Sequence, residues 1–190
     1  DPNVANWNTS NVTSMRGTFQ SATEFNQDLS GWDTSNVTTM EDMFYNADNF
    51  NTSINNWNVS NVTNMDSMFA SCAEYNQPMD NWSCDSLTTA EGFILSSNKF
   101  NNAIWSYAPL LQNVFRFFYG CRAFNHISIQ NFPVDNGVIT SLNQFFYNTR
   151  DFNQDISGWD VSNIESMNGL FGSDNVIDSL KPRFNQNLNA

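Results

Sequence analysis

Basic side chains are scarce in this sequence: Lys and Arg number 7 against 19 Asp and Glu, for a formal net charge of -12 over 190 residues. A surface of that sign repels a phosphate backbone and an anionic leaflet alike, so neither nucleic acid nor an acidic membrane surface is an expected partner. No apolar run reaches the roughly 18 residues that a membrane-crossing helix needs, and no membrane insertion is expected. One histidine and three scattered cysteines do not make a metal-ligand set. There is no calcium-loop motif, no phosphate-cradling glycine loop and no Ser/His/Asp arrangement. The chain therefore reads as non-enzymatic, with no catalytic residue, no cofactor and no metal. No signal-peptide pattern opens it, and it begins at Asp1 rather than Met, as a processed or trimmed chain would.

Aromatic residues make up 15%, including 17 Phe and 6 Trp, which is too much buried-type surface for a solvated tail, and Asn occurs 32 times. Both excesses come from an internal repeat. An aromatic residue followed directly by Asn recurs at Phe25, Phe50, Tyr75, Phe100, Phe124, Phe152 and Phe184, at spacings of 25, 25, 25, 24, 28 and 32. Seven residues past the aromatic stand Trp32, Trp57, Trp82, Tyr107 and Trp159, with Phe132 one place late and Trp7 in an earlier partial copy. The triplet Val37/Met40/Phe44 recurs with unchanged internal spacing, for example as Val62/Met65/Phe69 and Ile164/Met167/Phe171.

Spacing i, i+3, i+7 predicts one face of a helical turn, with Thr13, Thr38, Thr63 and Thr88 as caps or, alternatively, as a hydroxyl array that orders water or binds an extended glycan. The short stretch Asp28 to Trp32 predicts a strand. Such a unit has one apolar side and must stack on its neighbours. The expected fold is an α/β repeat solenoid, leucine-rich-repeat-like, with one short strand and one helical turn in each of about seven coils. It forms a single domain over 1–190 with a partial coil at 1–24. Asn26, Asn51, Asn76, Asn101, Asn125, Asn153 and Asn185 are expected to stack as a ladder at a fixed turn, beside a column of Trp7, Trp32, Trp57, Trp82 and Trp159.

The unit F-N-Q-x-[LI]-x-x-W-[DN]-x-S-N-V-T-x-M-x-x-M-F resembles the repeat of bacterial surface proteins of the BspA-like leucine-rich-repeat group. It is most similar to the period-25 branch found in mycoplasma and listerial surface lipoproteins. The resemblance implies an extracellular or cell-surface location and a role in adhesion or partner binding, with a protein or glycan as ligand. It brings no catalytic residue.

Departures from the repeat are candidate binding features. The linker PVDNGV, between Phe132 and Ile139, is two residues longer than the template, and GSDNVIDSLKPR, between Phe171 and Phe184, is seven longer. Insertions in a repeat either form a binding surface on one face or reflect drift in loop length. Asp174, Asn175, Asp178, Lys181 and Arg183 are the candidate binding residues of the second. His126 occupies a column otherwise held by Gln27, Gln77, Gln154 and Gln186, which makes it a polar turn residue. Cys72, Cys84 and Cys121 fall in columns of small residues and are expected buried and unpaired. Of seven N-x-[ST] sequons, four arise from the repeated N-V-[TS] text and do not locate the chain. The sequence ends in FNQNLNA and opens on DPNVANW, halves that together approximate one coil, as expected either of a segment of a longer array or of subunits that stack head to tail; self-association into a filament is the alternative to the binding scaffold.

Overall fold

A computed structural model of the chain describes residues 3–174 and 183–186. Its repeat copies lie one on the next in register, and one buried apolar cluster runs through the stack from Val4 to Ile156. The expectation of an α/β leucine-rich-repeat solenoid is overturned. Among the described residues the single helical element is a 3-10 turn at Ile127–Asn131, and strand-like pairing is confined to isolated parallel bridges. Those bridges join Ser14 to Thr39, Thr39 to Asn64, Asn64 to Thr89, Thr89 to Asn113, and Ser141 to Ser166. The stretch from Asp28 to Trp32, expected as a strand, is a tight turn closed by Trp32 N–H on the Leu29 carbonyl at 3.0 Å.

The segment expected as a helical turn is a run of overlapping tight turns. Asp42 and Asn46 have φ of 55° and 57°, and each reverses the chain. Backbone donors then alternate in direction. Met43, Tyr45 and Ala47 donate to the carbonyls of Met40, Asp42 and Phe44 three residues back, at 2.9 to 3.1 Å. Met40, Asp42, Phe44 and Asn46 donate to Asn64, Asp66, Met68 and Ala70 of the following copy, each at 2.9 Å. In an α-helix every such donor would be satisfied four residues back, and none would remain to join copies. Left-handed residues recur at the same two places in other copies, as Gly17 and Ser21, Ser67 and Ser71, Gly92 and Ser96, Arg116 and Gly120, Gln144 and Asn148. The apolar spacing was real, since Met40, Met43, Phe44 and Ala47 are all buried, but it is served by turns.

Side chains add their own columns. The backbone N–H of Asn51, Asn76, Asn101, Asn125, Asn153 and Asn185 each donates to the Oδ1 of the Asn one copy earlier, at 2.7 to 2.9 Å. Trp32, Trp57, Trp82 and Trp159 donate Nε1–H to the carbonyls of Val4, Leu29, Ile54 and Ile129 of the copy before, at 3.0 to 3.1 Å. Trp7 is 53% exposed and stacks on Trp32 at 6.3 Å. Tyr107 does not belong to that column: it is 54% exposed, and Trp105 turns inward in its place, 5.9 Å from Trp82. The displaced indole N–H of Trp105 has no partner. Thr38, Thr63 and Thr88, expected as helix caps, donate both N–H and Oγ1–H to the preceding Thr carbonyl at 2.8 to 3.1 Å.

Aromatic rings fill the interior. Phe25, Phe50, Tyr75, Phe100, Phe124, Phe152 and Phe184 form a continuous stack with centroids 5.6 to 6.2 Å apart. Each such pair adds about 0.5 to 1.5 kcal/mol beyond its area burial. All three cysteines are buried and free. The thiols of Cys72 and Cys121 donate to the Phe44 and Ile94 carbonyls at 2.8 Å, as Ser97 and Thr149 do from the same column to Phe69 and Phe118. Burial pushes the Cys72 thiol up to about 12, so it is inert as a nucleophile.

Ser71 separates turns from helix. In a helix Ser71→Gly costs about 0.5 kcal/mol, whereas at φ 59° glycine relieves a strain of about 1 to 2 kcal/mol, which its greater unfolded-state entropy offsets in part. Urea unfolding of Ser71→Gly should show unchanged or raised stability; a clear loss would contradict the turn geometry.

Candidate functional site at the break in the repeat

Regularity fails between Phe100 and Ile139, and the failure shapes a concave surface. In the copy beginning at Phe100, inward rotation of Trp105 leaves Ser106 and Tyr107 facing outward. In the next copy His126 caps the 3-10 turn, its Nδ1 accepting from Ser128 N–H at 3.2 Å, and the turn carries Gln130 and Asn131 to the surface. The longer linker follows. Its Phe132, Pro133 and Val134 are buried, and Gly137 at φ 78° turns the chain back. Asn136 pins it: Nδ2 donates to the Ala108 and Leu111 carbonyls at 3.0 and 2.9 Å, and Oδ1 accepts from Val138 and Ile139 N–H.

Two adjoining cavities result. The larger, of about 400 Å³, is lined by Ser106, Gln130, Asn131, Asp135, Trp159 and Asp160. The smaller, of about 220 Å³, shares Ser106 and Asp135 with it and adds Tyr107, Pro109 and Pro133. The Asp160 carboxyl sits below its ordinary range because it accepts from Ser162. A cavity of about 440 Å³ elsewhere, between Val4, Phe19 and Phe25, opens on the outer face of the first copy. In each later copy the equivalent ring face is covered by the copy before it, as Phe19 and Phe25 cover Phe44 and Phe50.

The second insertion is described only at its margins. Asp174 accepts from Tyr147 Oη at 2.5 Å and from Asn148 Nδ2 at 3.3 Å, and Tyr147 stacks on Tyr119 at 5.1 Å. Arg183 donates its backbone N–H to Arg150 and lies 3.7 Å from Asp151. Asn175, Asp178 and Lys181 lie outside the described residues. Asp174 and Arg183 are thus held to different neighbours. Among the described residues no three His, Cys, Asp or Glu gather where a metal ion would be held, and no helix is long and apolar enough to cross a membrane.

A family model described as Mycoplasma protein of unknown function, DUF285, matches residues 1–107 and again 110–190. The chain belongs to that family. The two DUF285 matches meet at Ala108–Pro109, inside the irregular copy. Membership supports a mycoplasma-type repeat without singling out the BspA-like group. No curated protein and no solved structure matches the chain.

Sequence reading flagged the linker as long but missed Ser106, Gln130 and Asn131. Their only signal was a 24-residue copy beside a 28-residue one, which marks where the columns slip.

In the regular part of the stack Glu41, Asp66 and Glu91 follow one another in a column. Burial holds the Asp66 carboxyl above its ordinary 3.8, against hydrogen bonds from Thr89 Oγ1 and Glu91 N–H, with the Glu91 and Glu41 charges adding to the rise. A carboxyl raised on folding stabilises most below its unfolded value, and that contribution is lost as pH rises through the folded value. Asp66→Asn keeps an acceptor without charge. It should stabilise the chain in urea unfolding near pH ~7 and do little near pH ~3; the same gain at both would contradict the burial of a charge there.

Proposed function

We propose that the chain is a non-enzymatic, surface-exposed scaffold of the BspA-like type that binds a partner outside the cell. The observation that carries this reading is the contrast between the regular stack and its break. Along the stack, polar side chains hold copies together: Asn36, Asn56 and Asn61 donate to carbonyls of the preceding copy, and Asn8, Asp33 and Asn58 close local turns on Ser10, Ser35 and Ser60. At the break, polar residues and an exposed Tyr107 line a concave surface instead. A rigid body with one irregular flank suits recognition, since little order has to be imposed on binding. The buried, raised Cys thiols suit a structural body rather than a reactive one. The sequence likeness to surface lipoprotein repeats supports the location.

Antibody raised against the purified chain should stain intact, unpermeabilised cells that make it. Staining that appears only after permeabilisation would overturn the surface reading.

A further inference from the structure

We propose that the cleft at the break is a binding site for a neutral, hydroxyl-rich saccharide; this rests on the reading of the chain as a partner-binding scaffold and names its ligand class. Ser106, Gln130, Asn131 and Asp135 line the cleft, and none of their side chains hydrogen-bonds another described residue. The Asn side chains of the regular columns, by contrast, bond the backbone of an adjacent copy, and Asn136 beside the cleft closes its own turn. These four exposed polar residues border one hollow, and with no role in holding it together their side chains have hydrogen bonds available for a ligand.

The chemistry of the lining selects among ligands. Sugar hydroxyls both donate and accept, and primary amides such as Gln130 and Asn131 offer both functions in one plane. Asp135 and Asp160 add acceptors for neighbouring hydroxyls. The C–H face of a pyranose needs a flat apolar surface, and Tyr107, 54% exposed at the mouth of the adjoining lobe, supplies a ring. At about 400 Å³ with a second lobe of about 220 Å³, the cleft has the size of small-molecule sites. No Lys, Arg or His lines either lobe, while two carboxylates do, in a chain of net charge -12. Sialylated, uronic or sulfated glycans are repelled by such a site. Asp160 shares its charge with the Ser162 N–H, and the uncharged amides and hydroxyl outnumber the carboxylates, which favours a neutral sugar over an organic cation.

The test is a glycan array carrying neutral gluco-, manno-, galacto- and N-acetylhexosamine oligosaccharides with sialylated and sulfated counterparts, probed with the whole chain. The variants are Gln130→Ala with Asn131→Ala, and separately Tyr107→Ala, all at exposed positions and checked by thermal melting. At least one neutral class should be retained, and each variant should weaken it at least about ten-fold with melting unchanged. Absence of neutral binding, preference for anionic glycans, or affinity unaltered in both variants would overturn the proposal. Binding of the purified chain to whole cells separates the two readings. Cell binding that survives both variants and excess free oligosaccharide leaves the scaffold and removes the saccharide site, whereas absence of both cell and glycan binding removes both.

Discussion

A backbone N–H with no strand partner beside it needs an acceptor, and one withdrawn from water without finding it costs about 1 to 3 kcal/mol. At the second position of each repeat that acceptor is the side-chain carbonyl of the Asn one copy earlier, from Asn26 through Asn153 to Asn185. This bond fixes both height and register. Shifting one copy by a residue would break the Asn column and at the same stroke carry each Trp indole away from its aliphatic carbonyl. The two columns therefore specify one alignment between them, and the Phe stack fills the space that this alignment encloses.

Backbone bonding follows the same economy. A chain that stacks by strands gives alternate donors to each neighbour, and a chain that stacks by helices gives none. This chain does something between the two, because left-handed residues four apart direct every second N–H to the following copy and return the others to the turn. Stability is then spread along the stack, each copy depending on the one before and the one after. The weak points are where a copy departs from the pattern. Trp105 is buried with an unpaired indole N–H, and Tyr75 carries a buried hydroxyl without a partner into a column otherwise made of Phe.

Much of this was legible in the sequence. The Asn and Trp columns could be read because a side chain that must do one job in every copy recurs at one place. The backbone was misread because the spacing of Val37, Met40 and Phe44 fits a helical face and a run of turns equally well. A discriminating signal was present: Gly17, Asp42, Gly92 and Gly169 share one column, and Asn46, Gly120 and Asn148 share another four residues on. Residues that tolerate positive φ at such regular places argue for turns. The cleft was less legible. Its shape depends on the inward rotation of Trp105 and on the anchoring of the linker by Asn136, and neither follows from a column count when two adjacent copies differ in length.

Amide hydrogen exchange of the intact chain, resolved residue by residue, tests the stacking most directly. The N–H groups of Asn51, Asn76, Asn101 and Asn125 lie just past a tight turn and outside any helix or strand, yet each is bonded to the Asn of the copy before. They should exchange as slowly as the core amides of Phe44 and Phe69, which donate to Met68 and Phe93. Exchange of those Asn amides at the rate of an unstructured turn would contradict the ladder, and with it the alignment of copies on which the fold rests.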